Sequence, residues 1–198
     1  MFGNQLSLWR AIPFAALAAG STLLHAATNQ ADTNLALSEQ FVDAFYSFDP
    51  QALGPLLAAA GESQQEIVFY QGWAQGGNYV VVKREPCAKL TKDTISCSIT
   101  VEDDLVLALG IDFDVTDTFT ISFESGEIKA VATSSNDPEI YHNARNWTWA
   151  NRSELVEPYC PGTEQEEANP HKCVRGMLQG YIEYARLNEL TPREGTGK

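Results

Sequence analysis

The sequence predicts a single α+β domain built on an antiparallel sheet, and three observations carry that prediction. Residues 79–101 and 113–134 are rich in Val, Ile, Thr and Phe in an alternating pattern, as half-buried strands require. The flanking segments instead repeat their apolar residues at helical spacing. Three dipeptides, Asp49-Pro50, Asp137-Pro138 and Asn169-Pro170, each offer a capping side chain followed by a proline, the pattern of a helix start.

In chain order, residues 1–26 read as an export signal: Arg10 supplies the positive charge, Ala11 to Leu24 the apolar run, and Leu24-His25-Ala26 the small-residue ending. Pro13 and Gly20 interrupt that run, which falls short of the roughly 20 apolar residues of a membrane span. A retained anchor is the alternative. The mature chain is expected to begin near Ala27 with a flexible segment, 27–37, followed by the domain, 38–187, and a flexible tail, 188–198. Phe41, Val42, Phe45 and Phe48 form the apolar face of a first helix that Ser38 can cap. Leu53, Leu56 and Leu57 continue into a second, shortened by Pro55. The stretch Glu66 to Trp73 fits helix and strand alike, with helix favoured.

Among the strands, Ile95, Cys97, Ile99 and Val101 share one face, and a turn around Lys92 would bring Cys87 opposite Cys97. Phe119, Ile121 and Phe123 alternate likewise, and Ser125-Gly126 is a two-residue turn that sets Phe123 opposite Ile128. Between the pairs, Asp103 to Leu109, ended by Gly110, reads as a short helix. Ile140, Tyr141, Ala144 and Trp147, then Val174, Met177, Leu178, Tyr181 and Ile182, mark two C-terminal helices.

Composition narrows the partners. With the signal removed, 12 Lys and Arg face 26 Asp and Glu. An acidic surface argues against nucleic acid and against anionic membrane as partners, and solubility explains the charge. The four cysteines, Cys87, Cys97, Cys160 and Cys173, all lie beyond the signal, and an even number in an exported chain favours two disulfides. Three connectivities are possible. The local one, Cys87 to Cys97 and Cys160 to Cys173, closes loops worth roughly 3 kcal/mol each in the chain-entropy model. Zinc would need CxxC spacing or nearby histidines, and neither is present. Neither metal nor cofactor is implied, and the expected location is periplasmic or secreted.

The order of elements, together with YQGWAQGGNY from Tyr70, DDLVLALG from Asp103, FDVTDTF from Phe113 and TSSNDP from Thr133, resembles an exported branch of the SnoaL-like, or nuclear transport factor 2-like, superfamily. The resemblance covers about Ser38 to Leu187. It implies a cone in which a curved sheet and the first helices enclose a pocket, in a superfamily of enzymes, ligand binders and interaction modules. No catalytic set of its enzyme branches carries over. The ketosteroid isomerase branch has a tyrosine on the cavity side of the first helix, where this chain has Phe41 and Phe45, with Tyr46 expected to point elsewhere. The limonene epoxide hydrolase branch uses an Asp-Arg-Asp set, and strand parity puts Arg84 opposite Lys83 and Cys87 unless a bulge reverses it. The scytalone dehydratase branch uses pocket histidines, whereas His142 and His171 fall in the terminal helices.

Asp117 is the leading catalytic candidate. It shares strand parity with Val115, Phe119 and Ile121, so it should face the apolar side, where desolvation raises a carboxylate toward general-base range. The structural alternative is a hydrogen bond from Thr116 or nearby backbone. Tyr70, Trp73 and Tyr79 are candidate ligand-binding aromatics, or plain core. Asp103 is a further ligand-binding candidate, although a helix cap is its simpler role, shared with Asp104. Lys83 and Glu85 suit a polar patch or simple exposed charge. Asn146 and Asn151 open glycosylation triplets. The expected function is binding of a small apolar molecule; the alternatives are a cofactor-free acid/base enzyme in the same pocket and a protein-interaction module. A homodimer is a possible assembly.

Overall fold

The computed structural model describes residues 21–161 and 168–195, with side chains of the first helix from Gln30 onward. Most of the stretch read as an export signal, residues 1–20, therefore lies outside the described residues. Within them the chain is α+β, with seven α-helices and a five-stranded antiparallel sheet that does not close on itself. Helix α1 spans Ser21–Tyr46, and α2, Pro50–Leu53, passes into a 3-10 turn at Gly54–Leu57. Helix α3 is Glu62–Gly76, so the ambiguous aromatic stretch is helical. Strands β1 (Val80–Arg84), β2 (Ala88–Lys89) and β3 (Thr94–Glu102) follow, then α4 (Asp104–Leu109), β4 (Val115–Glu124) and β5 (Glu127–Ser135). Helices α5 (Glu139–Asn151), α6 (Ser153–Val156) and α7 (Pro170–Leu187) complete the order.

The sheet runs β1-β3-β4-β5, with β2 also paired to β3. Alternation decides its faces: β3 and β4 bury every second residue, and Ile95, Cys97, Ile99, Phe119 and Ile121 are fully covered. The other face carries hydroxyls, with Thr100 and Thr116 paired across strands at 3.0 Å. Phe41 and Phe45 of α1 stack on Phe119, with ring centroids 5.3 and 4.9 Å away. Helix α7 packs against α3, α4, α5 and α6 and draws the C-terminal helices together. It crosses α3 where Gly72 and Gly76 leave no room for a Cβ against Pro170 and Val174. Those glycines serve helix packing more directly than they serve the neighbouring aromatics.

Local signals are realised closely. Asp49 and Asn169 cap their helices by accepting from Gln51 and Lys172 amides at 2.8 and 3.0 Å. Ser125 and Gly126, at φ 55° and 83°, make the tight turn that pairs Phe123 with Ile128. Both local disulfides, Cys87–Cys97 and Cys160–Cys173, are formed.

Three expectations need correction. Ser38 does not cap α1, because the helix begins at Ser21 and runs through the segment 27–37 read as flexible; the Ser38 hydroxyl donates back to the Asn34 carbonyl at 2.9 Å. Tertiary contacts hold that extension: the Lys89 ammonium meets Asp32 at 2.6 Å, and Asn34 reaches the Lys92 carbonyl at 3.4 Å. A register shift between Val81 and Lys83 turns Arg84 toward α1, where it pairs with Glu39 and Asp43. The tail, read as flexible from 188, is docked as far as Arg193, whose amide donates to the Leu107 carbonyl at 2.8 Å. Leu190 packs on the core, and Arg193 reaches Asp114 at 3.1 Å and the buried Glu102 at 3.2 Å.

Candidate functional site

The sheet's inner face ends in a pocket of about 330 Å³ between the strands and helices α3, α5 and α7. Helix α3 contributes Phe69, Tyr70 and Trp73 one turn apart, and Tyr79 follows where α3 gives way to β1. Strand β4 sends in Val115 and Asp117, which alternation directs to the same side. Ser135 stands opposite Asp117 in the β4–β5 register, and exposed Ser134, Ser135 and Arg145 leave the mouth open to solvent. The far wall is Tyr141 and Tyr181, whose rings meet edge to face at 5.1 Å. Tyr181 is anchored by donating its hydroxyl to the Tyr141 carbonyl at 3.0 Å.

Asp117 is 2% exposed. Burial raises its carboxyl to about 6, against the opposing pull of the Tyr70 and Tyr46 hydroxyls, while the charge of Asp137 adds to the rise. The Tyr46 hydroxyl donates to Asp117 Oδ2 at 3.0 Å. Two expectations change here: Tyr46 turns toward the site, and the partner of Asp117 is a tyrosine from the first helix, not Thr116 or local backbone. The rotation of α1 that allows this is fixed by Gln71, a buried α3 residue whose amide donates to the Ala44 and Phe45 carbonyls at 3.0 Å each. These are end-of-helix carbonyls, which also accept from the Ser47 hydroxyl at 2.7 Å and the Phe48 amide at 3.2 Å. Tyr46 and Tyr70 both have their hydroxyl pKa raised, by burial first and the Asp117 charge second, so they act as donors and stay protonated.

Tyr70, Trp73, Tyr79 and Asp117 thus share one pocket, whereas Asp103 does not line it. Its Oδ1 accepts from the Leu105 and Val106 amides, both at 2.8 Å, as the cap of α4. Its Oδ2 is buried without a hydrogen-bond partner. Burial lifts this carboxyl to about 7 despite the two amides, with the charges of Asp117 and Asp137 adding to the rise. Asp104 instead binds Asn78 at 2.8 Å and Arg175 at 2.9 Å. Lys83 and Glu85 form an exposed pair at 2.6 Å away from the pocket lining.

Asp137 departs from its expected role in a useful way. Helix α5 starts at Glu139 with no side-chain cap, and Asp137 accepts from the Ser135 hydroxyl at 2.6 Å while facing the pocket. Tyr141, Tyr181 and Arg145 line the pocket without being among the residues expected there. Tyr141 and Tyr181 carried a signal, since both were placed on the apolar stripes of their helices; Arg145 carried none. Of the glycosylation triplets, Thr148 is buried and donates to the Ala144 carbonyl at 2.8 Å, while Asn151 is exposed at the end of α5.

Among the described residues no group of three His, Cys, Asp or Glu is arranged to hold a metal, and no helix is long and apolar enough to cross a membrane. Comparison with family models, curated proteins and solved structures returns no match for this chain.

Proposed function

We propose that this chain is an exported SnoaL-like domain that binds a small, mostly apolar molecule in the tyrosine-lined pocket, with Asp117 as its polar anchor. One observation carries this reading: a space of about 330 Å³ is walled by aromatic rings with a single deeply buried carboxylate among them. Small-molecule sites have that composition, apolar walls for affinity and a few polar groups for orientation. The volume is at the lower end for such sites, which points to a compact ligand. The order of helices and strands supports the family reading, with the bulge in β1 and the shift at Ser122 and Phe123 as the places where the sheet would curve into a cone. Two disulfides support a periplasmic or secreted location.

A titration with benzyl alcohol, followed by backbone amide shifts, tests the reading. The expected shifts concentrate on Tyr70, Trp73, Tyr79 and Thr133 and weaken at least tenfold in Trp73→Ala. Shifts scattered over the surface, or an unaffected variant, would refute it. A second reading, a cofactor-free acid/base enzyme, is favoured by one specific observation: the Asp117 carboxyl near 6 is matched to proton abstraction at neutral pH. Tyr70 or Tyr79 would then hold the developing oxyanion. This reading predicts exchange of solvent deuterium into the α-carbon of a small aryl ketone such as phenylacetone, lost in Asp117→Asn.

A further inference from the structure

The pocket sets carboxylates among aromatic rings, and that combination narrows the ligand. Six aromatic side chains, Phe69, Tyr70, Trp73, Tyr79, Tyr141 and Tyr181, surround a space onto which Asp117 and Asp137 both open. Neither carboxylate is in an ion pair among the described residues: Asp117 is held by the Tyr46 hydroxyl and Asp137 by the Ser135 hydroxyl. Hydroxyl donors orient a carboxylate without neutralising it. From behind, Asp103 adds a third carboxyl, itself buried and close enough for its charge to be felt at Tyr79 and Tyr141. The wall contains one cation, Arg145, and it is exposed at the mouth, where it acts on Tyr181 and forms no ion pair among the described residues.

Such a site favours one kind of guest over all others of its size. Ring faces carry negative quadrupole density and attract a positive head group, most strongly when water is excluded. A neutral guest would leave the buried Asp117 charge uncompensated, and an anionic guest would oppose it. The formal net charge of −13 also draws cations toward the protein before they bind. We infer that the ligand is a small organic cation, an amine or quaternary ammonium compound, whose head is enclosed by the tyrosine and tryptophan rings with Asp117 and Asp137 as counter-ions. This inference rests on the pocket being a binding site and adds the charge of what it binds.

Choline and 3,3-dimethylbutan-1-ol provide the test, because they share a shape and differ in nitrogen against carbon at the branched head. At pH 8 and low salt, followed by amide and side-chain NMR shifts on the intact chain, choline should bind at least tenfold more tightly. Asp117→Asn should remove that preference, and backbone amide shifts outside the pocket that match the wild type certify that the variant is folded. Asp137→Asn, at the half-exposed edge, should reduce the preference less. Acidification to pH 5 should weaken choline alone. Asp117 is faced by Tyr46 from α1, Tyr70 from α3, Asp103, Asp137 and, at the mouth, Arg145 from α5, so protonation of Asp117 and Asp103 removes most of the attraction without creating a new cation. Equal or tighter binding of the alcohol would overturn the charge inference and leave the pocket reading standing. If neither probe shifts the pocket residues, both fall.

Discussion

Asp103 and Asp117 enter the protein's interior from the same end of the sheet, one just past β3 and the other near the start of β4, and their exposures are 1% and 2%. Burial raises both carboxyls well above the ordinary carboxylate range, and they nevertheless occupy different kinds of place. Asp103 spends one oxygen on two amides of α4 and leaves the other against protein with nothing to bond. Asp117 turns into a space large enough for a guest and is steadied by a tyrosine from a helix 71 residues away in sequence. The contrast teaches that desolvation alone does not mark a functional group. A raised carboxyl becomes useful where it also borders a space and is oriented by donors that leave its charge in place.

The largest expected effect is the dependence of stability on pH. Between the ordinary carboxylate value near 4 and its raised value, each of these groups holds a proton in the folded chain that the unfolded chain has released. Stability is therefore full in acid and falls as pH rises through about 6 for Asp117 and about 7 for Asp103. Urea unfolding at pH 5 and pH 8 should differ by roughly 3 kcal/mol from Asp103 and about 1 kcal/mol from Asp117, the protein being tougher at pH 5. Asp103→Asn, which keeps the capping oxygen and mimics the protonated acid, should flatten most of that slope, and Asp117→Asn the smaller part. A wild-type protein that is equally stable or more stable at pH 8 would contradict the burial of both groups.

A smaller effect separates the cap from the charge. Asp103→Ala removes both amide partners, which costs about 1–2 kcal/mol for a lost cap. The cost should appear in full at pH 5, where Asp103 is neutral, and shrink at pH 8, where the substitution also removes a buried charge. In thermal melts at pH 5 the expected drop is roughly 3–6 °C. A variant with the same deficit at both values of pH would mean that Asp103 acts only through its hydrogen bonds.

How far these residues could be read in advance follows from the range of the interactions that place them. Caps, turns and strand parity are local, so Asp49, Asn169, Ser125-Gly126 and the inward direction of Asp117 were legible. The Cys87–Cys97 bridge was legible because a hairpin makes it nearly local. Tyr46 was misplaced and the side of Arg84 stayed open to a bulge for a common reason: the orientation of each depends on one slip, a helix rotation set by Gln71 and a bulge after Val81, that no nearby residue announces. Asp137 resembled a cap as strongly as Asp49 does, but its chain turns one residue later and frees it for the pocket. Arg193 lay in a polar tail whose carboxylate partners are about 80 to 90 residues upstream.

The smallest effect is the most direct test of how Asp117 is oriented. Tyr46→Phe deletes one donor and keeps the ring that packs edge to face on Phe45 at 4.9 Å, so the core should survive with a loss of about 1 kcal/mol. A hydrogen bond donated to a carboxylate favours its charged form, so its removal should push the Asp117 carboxyl upward from about 6, by on the order of one unit. Carbon-detected NMR titration of the carboxyl resonances reads this directly and carries its own control. Asp103 has no hydrogen bond to Tyr46 and feels Asp117 only through its charge, so its value should move far less than that of Asp117. An unmoved Asp117 would show that Tyr70 alone supplies the donor, while equal movement of both carboxyls would show that the substitution had loosened the whole end of the sheet.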